Sequence, residues 1–180
     1  FQDNVLPSGV EPTTVTLTEI SYLEESGNDA DVEVEILTEA DIEEIKKNQN
    51  DTNQCKASAA KKIMQDLSSL PSGYEQYIHK ESHFVKIPFD ELIQYTAAKG
   101  KLSGLAKRVI IKKKADALKG VTIIDTPGFN DPVSSRGEAT KEAIKDCNII
   151  LFVHDYLDKY DQEEISILTE QVEYTGVAVF

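Results

Sequence analysis

The chain has 180 residues, 40% of them hydrophobic and 28% charged, which is enough apolar material for a packed core and excludes a disordered tail. Nineteen basic against 32 acidic side chains leave a net charge of −13, which argues against nucleic acid as a partner. The excess is local, because residues 1–55 hold 14 of the acidic side chains and two of the basic ones.

In chain order, residues 14–23 (TVTLTEISYL) are rich in β-branched and aromatic residues and read as a strand ending in a polar turn. Val32–Leu37 alternates in polarity and is expected to pair with that strand. Thr38 then opens a helix, with Asp41 completing an S/T-x-x-D/E capping box and Ile42 and Ile45 on one face. A second helix carries Ala60, Ile63, Met64 and Leu67 as its stripe, and Pro71-Ser72-Gly73 stops it. Residues 74–105 show no clear period, although Pro88-Phe89-Asp90-Glu91 looks like a helix entrance leading towards Gly100. From Lys107 the pattern becomes Val109–Lys113, a turn through Ala117–Gly120, and Val121–Asp125, which reads as a hairpin. A helix over 137–147 with Thr140, Ile144 and Cys147 on one face leads to a continuous apolar strand over 148–154. Asp161 and Glu164 open another helix, and residues 176–180 begin another buried strand. Apolar strands separated by single amphipathic helices predict an α/β fold with a mostly parallel sheet flanked by helices. Residues 38–105 break that alternation and are expected to be an insertion or an elaboration at the sheet edge.

Cys55 and Cys147 stand alone, without a C-x-x-C pair, so neither a disulfide framework nor a zinc site is expected and a reducing cytosol suits the chain. No apolar run approaches the ~20 residues needed to cross a bilayer. Because the chain begins at Phe1 and ends on Gly176-Val177-Ala178-Val179-Phe180, it reads as truncated at both ends.

The most informative segment is Val121-Thr122-Ile123-Ile124-Asp125-Thr126-Pro127-Gly128. A carboxylate at the end of a buried strand lies where α/β sheets bind ligands, and Asp125 there can hold the water shell of Mg²⁺ beside a phosphate. Gly128 lets the backbone approach and offer its N–H to a terminal phosphate, while Pro127 restrains the loop. The plainer reading is a strand followed by a Pro-Gly turn. A second segment, Val5-Leu6-Pro7-Ser8-Gly9-Val10-Glu11-Pro12-Thr13-Thr14, is a loop that runs straight into a strand. A threonine at that junction can reach the same cation with its hydroxyl.

Together these segments resemble the dynamin-superfamily GTPases, closest to their mitofusin and bacterial dynamin-like branch. LPSGVEPTT is similar to switch I (near residues 5–14) and IIDTPGF to switch II (near 125–136), with residues 38–105 as a helical insertion between the switches. The resemblance implies a P-loop-GTPase-type fold and GTP binding and hydrolysis with Mg²⁺. By it, Thr14 would coordinate the cation and position the attacking water, with Thr13 as its neighbour. Asp125 would contact the cation through water, and Pro127 and Gly128 would serve the γ-phosphate. It also implies GTP and GDP as ligands, pairing of GTPase domains into a homodimer, membrane remodelling through regions outside this chain, and a cytoplasmic location, free or peripheral to a membrane.

The phosphate loop G-x-x-x-x-G-K-S/T and the base-reading N/T-K-x-D are not in the sequence. Asp158-Lys159-Tyr160-Asp161 imitates the latter one strand too early, so Lys159 reads as solvated and Asp161 as a helix cap. A degenerate relative that serves as a protein-interaction module, and an ATPase on the same core, are the alternatives. Further candidates have two readings each. Lys112-Lys113-Lys114 with Lys107 and Arg108 is either a membrane or acidic-partner patch or a charged edge strand. His79 and His83 are either surface histidines or half of a metal site. His154-Asp155 either lines the site or is structural, and Arg136 is a candidate arginine finger across a dimer.

Overall fold

The computed structural model describes residues 16–24, 28–70, 72–97, 100–126, 133–152 and 176–179. Strand β1 spans Leu17–Tyr22 and β2 Ala30–Ile36. Helices α1 (Glu39–Asn48) and α2 (Gln54–Ser68) follow, then β3 (His83–Ile87), α3 (Leu92–Thr96) and β4 (Ala106–Lys113). Beyond these come β5 (Ile123–Asp125), α4 (Ser134–Asp146), β6 (Ile149–Phe152) and β7 (Gly176–Val179).

Five strands form one mixed sheet in the order β3-β2-β4-β1-β5, and β6 and β7 pair separately. Only β1–β4 is parallel within the larger sheet; β2–β3, β2–β4 and β1–β5 are antiparallel. β6–β7 is parallel, in keeping with two apolar strands that a helix-length segment separates. The described sheet is therefore mixed rather than mostly parallel.

Alternation along the strands sorts the two faces of the larger sheet. Ile20, Val32, Val34, Ile36, Val109 and Ile111 share one face, where Leu92 and Tyr95 of α3 and Leu118 complete a buried cluster. On the other face Glu19, Glu33 and Glu35 meet cations of neighbouring strands. Arg108 pairs with Glu19, Lys107 lies 3.6 Å from Glu35, and Lys86 lies 3.5 Å from Glu33. A second buried cluster joins Leu37 and Leu105 to Ile42 and Ile45 of α1, Ala60 and Leu67 of α2, and Val133 before α4.

The capping box of α1 forms as expected: Thr38 Oγ1 accepts from the Asp41 N–H at 3.3 Å and Asp41 Oδ2 accepts from the Thr38 N–H at 2.8 Å. Asn53 caps α2, its Oδ1 accepting from the N–H groups of Cys55 and Lys56. Ala60 and Leu67 are buried as the stripe requires, with Ile63 and Met64 partly buried around them. Within residues 38–105 the chain is not all helix, since it contributes β3 to the sheet edge.

Three expectations about pairing are corrected. β1 does not pair with β2, because β4 lies between them. Direct pairing would set Glu19 against Asp31, Glu33 and Glu35, whereas β4 places Arg108 and Lys107 between the two acidic strands. β4 and β5 are not a hairpin either; β1 separates them and pairs with both. Consequently the Lys107–Lys114 patch does not lie on an edge strand. It runs along the central strand, where Glu19 and Glu35 answer two of its cations and Lys113 Nζ lies 4.9 Å over the Phe89 ring.

The expected helix over 137–147 starts earlier, at Ser134, and ends at Asp146; Thr140 and Ile144 are buried on it. Thr13, Thr14, Pro127, Gly128, His154, Asp155, Lys159 and Asp161, and the helix expected from Asp161, lie outside the described residues, as does the Arg136 side chain.

Candidate functional site

Asp125 is the last residue of β5, half-buried, and stands opposite Thr18 in the antiparallel pairing with β1. Ile124 faces Glu19 and Ile123 faces Ile20. The end of β5 thus lies beside the beginning of β1, and the segment entering β1 and the segment leaving β5 meet the sheet at one end. A three-residue strand is held in place here because its partner β1 is itself clamped along six residue pairs by β4.

Two side chains that read in the sequence merely as strand formers have specific roles at this corner. Thr16 and Thr18 are 0% and 2% exposed. Thr18 Oγ1 donates to the Thr16 carbonyl at 3.1 Å, and Thr16 Oγ1 donates to the Ala106 carbonyl, the first residue of β4, at 3.4 Å. The signal available in the sequence was weak, since threonine is favoured in strands for its branching alone.

Of the five site residues expected from sequence, Asp125 is the one within the described residues. Its carboxylate is a hard oxygen donor of the kind Mg²⁺ takes, and that cation needs only one or two protein ligands beside phosphate oxygens and water. Among the described residues no group of three or more His, Cys, Asp or Glu is arranged to hold a metal. His79 and His83 meet edge to face with ring centroids 4.3 Å apart, and His79 is exposed while His83 is half-buried. A shallow cleft of about 470 Å³ between the end of α1 and the first half of α2, lined in part by Asp51, Gln54 and Lys61, includes none of the expected site residues. No described helix is long and apolar enough to cross a membrane.

Comparison with known proteins agrees with this architecture. The chain is 25% identical over 183 residues to dynamin-like protein A of Bacillus subtilis, covering 92% of this chain and 15% of that protein. It is 28% identical over 95 residues to dynamin-like protein 1 of Campylobacter jejuni, covering 52% of this chain and 13% of the relative. It therefore spans less than a sixth of the length of these curated relatives. In fold it is similar to a solved structure of an oligomerised bacterial dynamin pair, described as a mechanism for long-range sensing and tethering of membranes. The TM-score is 0.66 at 21% identity, over 92% of this chain and 21% of that one. The model of the dynamin family matches residues 1–180, and the chain belongs to that family.

Proposed function

We propose that this chain is the switch-bearing part of a GTPase domain that binds and hydrolyses GTP with Mg²⁺. The observation that carries the reading is the antiparallel register of β1 and β5, in which Asp125 stands opposite Thr18. Thr14 lies two residues before Thr16, and two residues of chain reach at most ~7 Å. In the chain, the threonine pair directly precedes this corner and Pro127 and Gly128 directly follow Asp125.

In this reading Thr14 gives its hydroxyl to the cation and orients the attacking water through its carbonyl, with Thr13 beside it. Asp125 holds a water of the cation's shell, and Gly128 offers its N–H to the γ-phosphate while Pro127 limits the loop. When bound, the cation neutralises charge developing on the phosphate oxygens. The protein's part is placement and charge complementarity rather than covalent chemistry. The whole protein would supply a phosphate loop and a base-reading motif, pair through its GTPase domains, and couple turnover to membrane remodelling from a cytoplasmic, peripheral position. Membership of the dynamin family and the membrane-tethering bacterial dynamin pair support that extension.

The test is GTP turnover by the full-length protein and two variants. Thr14→Ala should abolish turnover while nucleotide still binds, and Asp125→Ala should weaken Mg²⁺-dependent binding. Wild-type turnover in Thr14→Ala removes that residue from its role; unchanged Mg²⁺ dependence in Asp125→Ala sinks the metal assignment.

A further inference from the structure

We propose that Thr16 and Thr18 are positioning residues that fix the root of the loop carrying Thr14; the proposal rests on the GTPase reading above. Both side chains are enclosed, at 0% and 2% exposure. Both spend their hydroxyls on main-chain carbonyls, Thr18 on Thr16 and Thr16 on Ala106. The β-ladder needs neither bond, because its own N–H and C=O groups make it, and valine would fill the same space with equal strand preference.

What the two hydroxyls add is a direction for the chain at the point where it enters the sheet. Thr16 is the residue immediately before β1, and its hydroxyl ties it sideways to the start of the central strand β4. Thr18 draws on the same residue's carbonyl from within β1 and is also the residue opposite Asp125. One short segment therefore joins three things: the exit of the switch I loop, the first residue of β4, and the backbone of the switch II carboxylate. The Thr16 bond ties residue 16 to β4, and the Thr18 bond fixes the carbonyl of the same residue from within the segment; placement of a catalytic group within about 1 Å is worth up to ~100-fold in rate.

The experiment compares Thr16→Val, Thr18→Val, Thr16→Ser and Thr18→Ser with wild type and Thr14→Ala in the full-length protein. Thermal midpoints are measured alongside GTP kinetics. Each valine variant should lose about tenfold or more in kcat while KM stays within about twofold, and each serine variant should recover kcat because the hydroxyl returns. A structural role alone would lower the midpoint and leave kcat below it unchanged. Folded valine variants with wild-type kcat, beside an inactive Thr14→Ala, overturn the positioning role and leave the GTPase reading standing. Undiminished turnover in Thr14→Ala overturns both. A kcat loss that serine does not recover reports packing and also overturns the proposal. Should Thr16→Val fail to fold, Thr18→Val, which keeps the tie to β4, decides the matter by the same comparison.

Discussion

A double-mutant cycle on Glu19 and Arg108 would measure how firmly β1 is held to the central strand. The side chains are 24% and 35% exposed, so the pair lies between solvent-exposed pairs worth about 0–1 kcal/mol and enclosed ones whose disruption costs about 3–5 kcal/mol. Two features set the value within that range. The partners stand on adjacent hydrogen-bonded strands, which limits the side-chain entropy lost on pairing. Against this, Arg108 Nε is enclosed without a hydrogen-bond partner among the described residues, so the guanidinium does not use its full two-point fork. A coupling of about 1–2 kcal/mol follows. Arg108→Met keeps the apolar stem and strips Glu19 of its counter-charge, which should cost about 2 kcal/mol. Glu19→Gln should cost about half that, because an amide oxygen still accepts. Hydrogen exchange of the β1 amides in the full-length protein reads the effect locally. A loss of 2 kcal/mol appears as roughly thirtyfold faster exchange. If the two single effects add to within about 0.3 kcal/mol in the double variant, the pair contributes nothing and the charge-sorting account of the strand order fails.

Two further predictions follow from local geometry. Gly100→Ala would drive its Cβ into the backbone of Ile93 and Gln94, and should destabilise the α3 corner by about 1–3 kcal/mol, seen as faster exchange over Leu92–Thr96; unchanged exchange would refute the close approach. Burial first, and then the Asp146 carboxylate, push the Cys147 thiol above its ordinary pKa. Less of it is thiolate at neutral pH, so maleimide should modify exposed Cys55 before Cys147, and Cys147 labelling should keep rising as pH passes the usual thiol range. Mass spectrometry of the labelled peptides checks this, and faster labelling of Cys147 at pH 7 would contradict it.

Elements whose signals are local were legible in the sequence. The Thr38–Asp41 box needs only four consecutive residues, and the α2 stripe only the helical period, so both could be read without knowing the fold. Strand pairing was not legible in the same way. Val32–Ile36 and Leu17–Tyr22 look like neighbours because little chain separates them, yet the partner that suits both is β4, some 70 residues on, where Arg108 and Lys107 answer their carboxylates. Residues 74–105 stayed opaque because their helical pieces are short turns, Glu75–Tyr77 and Phe89–Glu91, and a five-residue helix, all too brief to show a period. At the site, Asp125 announced itself as a charge ending an apolar run. Thr16 and Thr18 did not, because a threonine that uses its hydroxyl and one that uses only its branching leave the same mark in a strand.

The order of the strands also sets Thr18 and Asp125, more than a hundred residues apart in the chain, side by side. Antiparallel pairing puts the start of β1 beside the end of β5, so the segment before β1 and the segment after β5 leave the sheet on the same side. Had β5 paired parallel to β1, Asp125 would point its following residues past Tyr22, away from the entry of β1. Parallel alignment of β1 with β4 has a complementary effect: it brings the first residue of β4 next to Thr16, where Ala106 can accept that hydroxyl. Reversing β5 would take Asp125 away from Thr18, and reversing β4 would take Ala106 away from Thr16. The cross-strand ion pairs and the Thr16–Ala106 bond depend on the observed order, so variants that remove them test the strand arrangement itself.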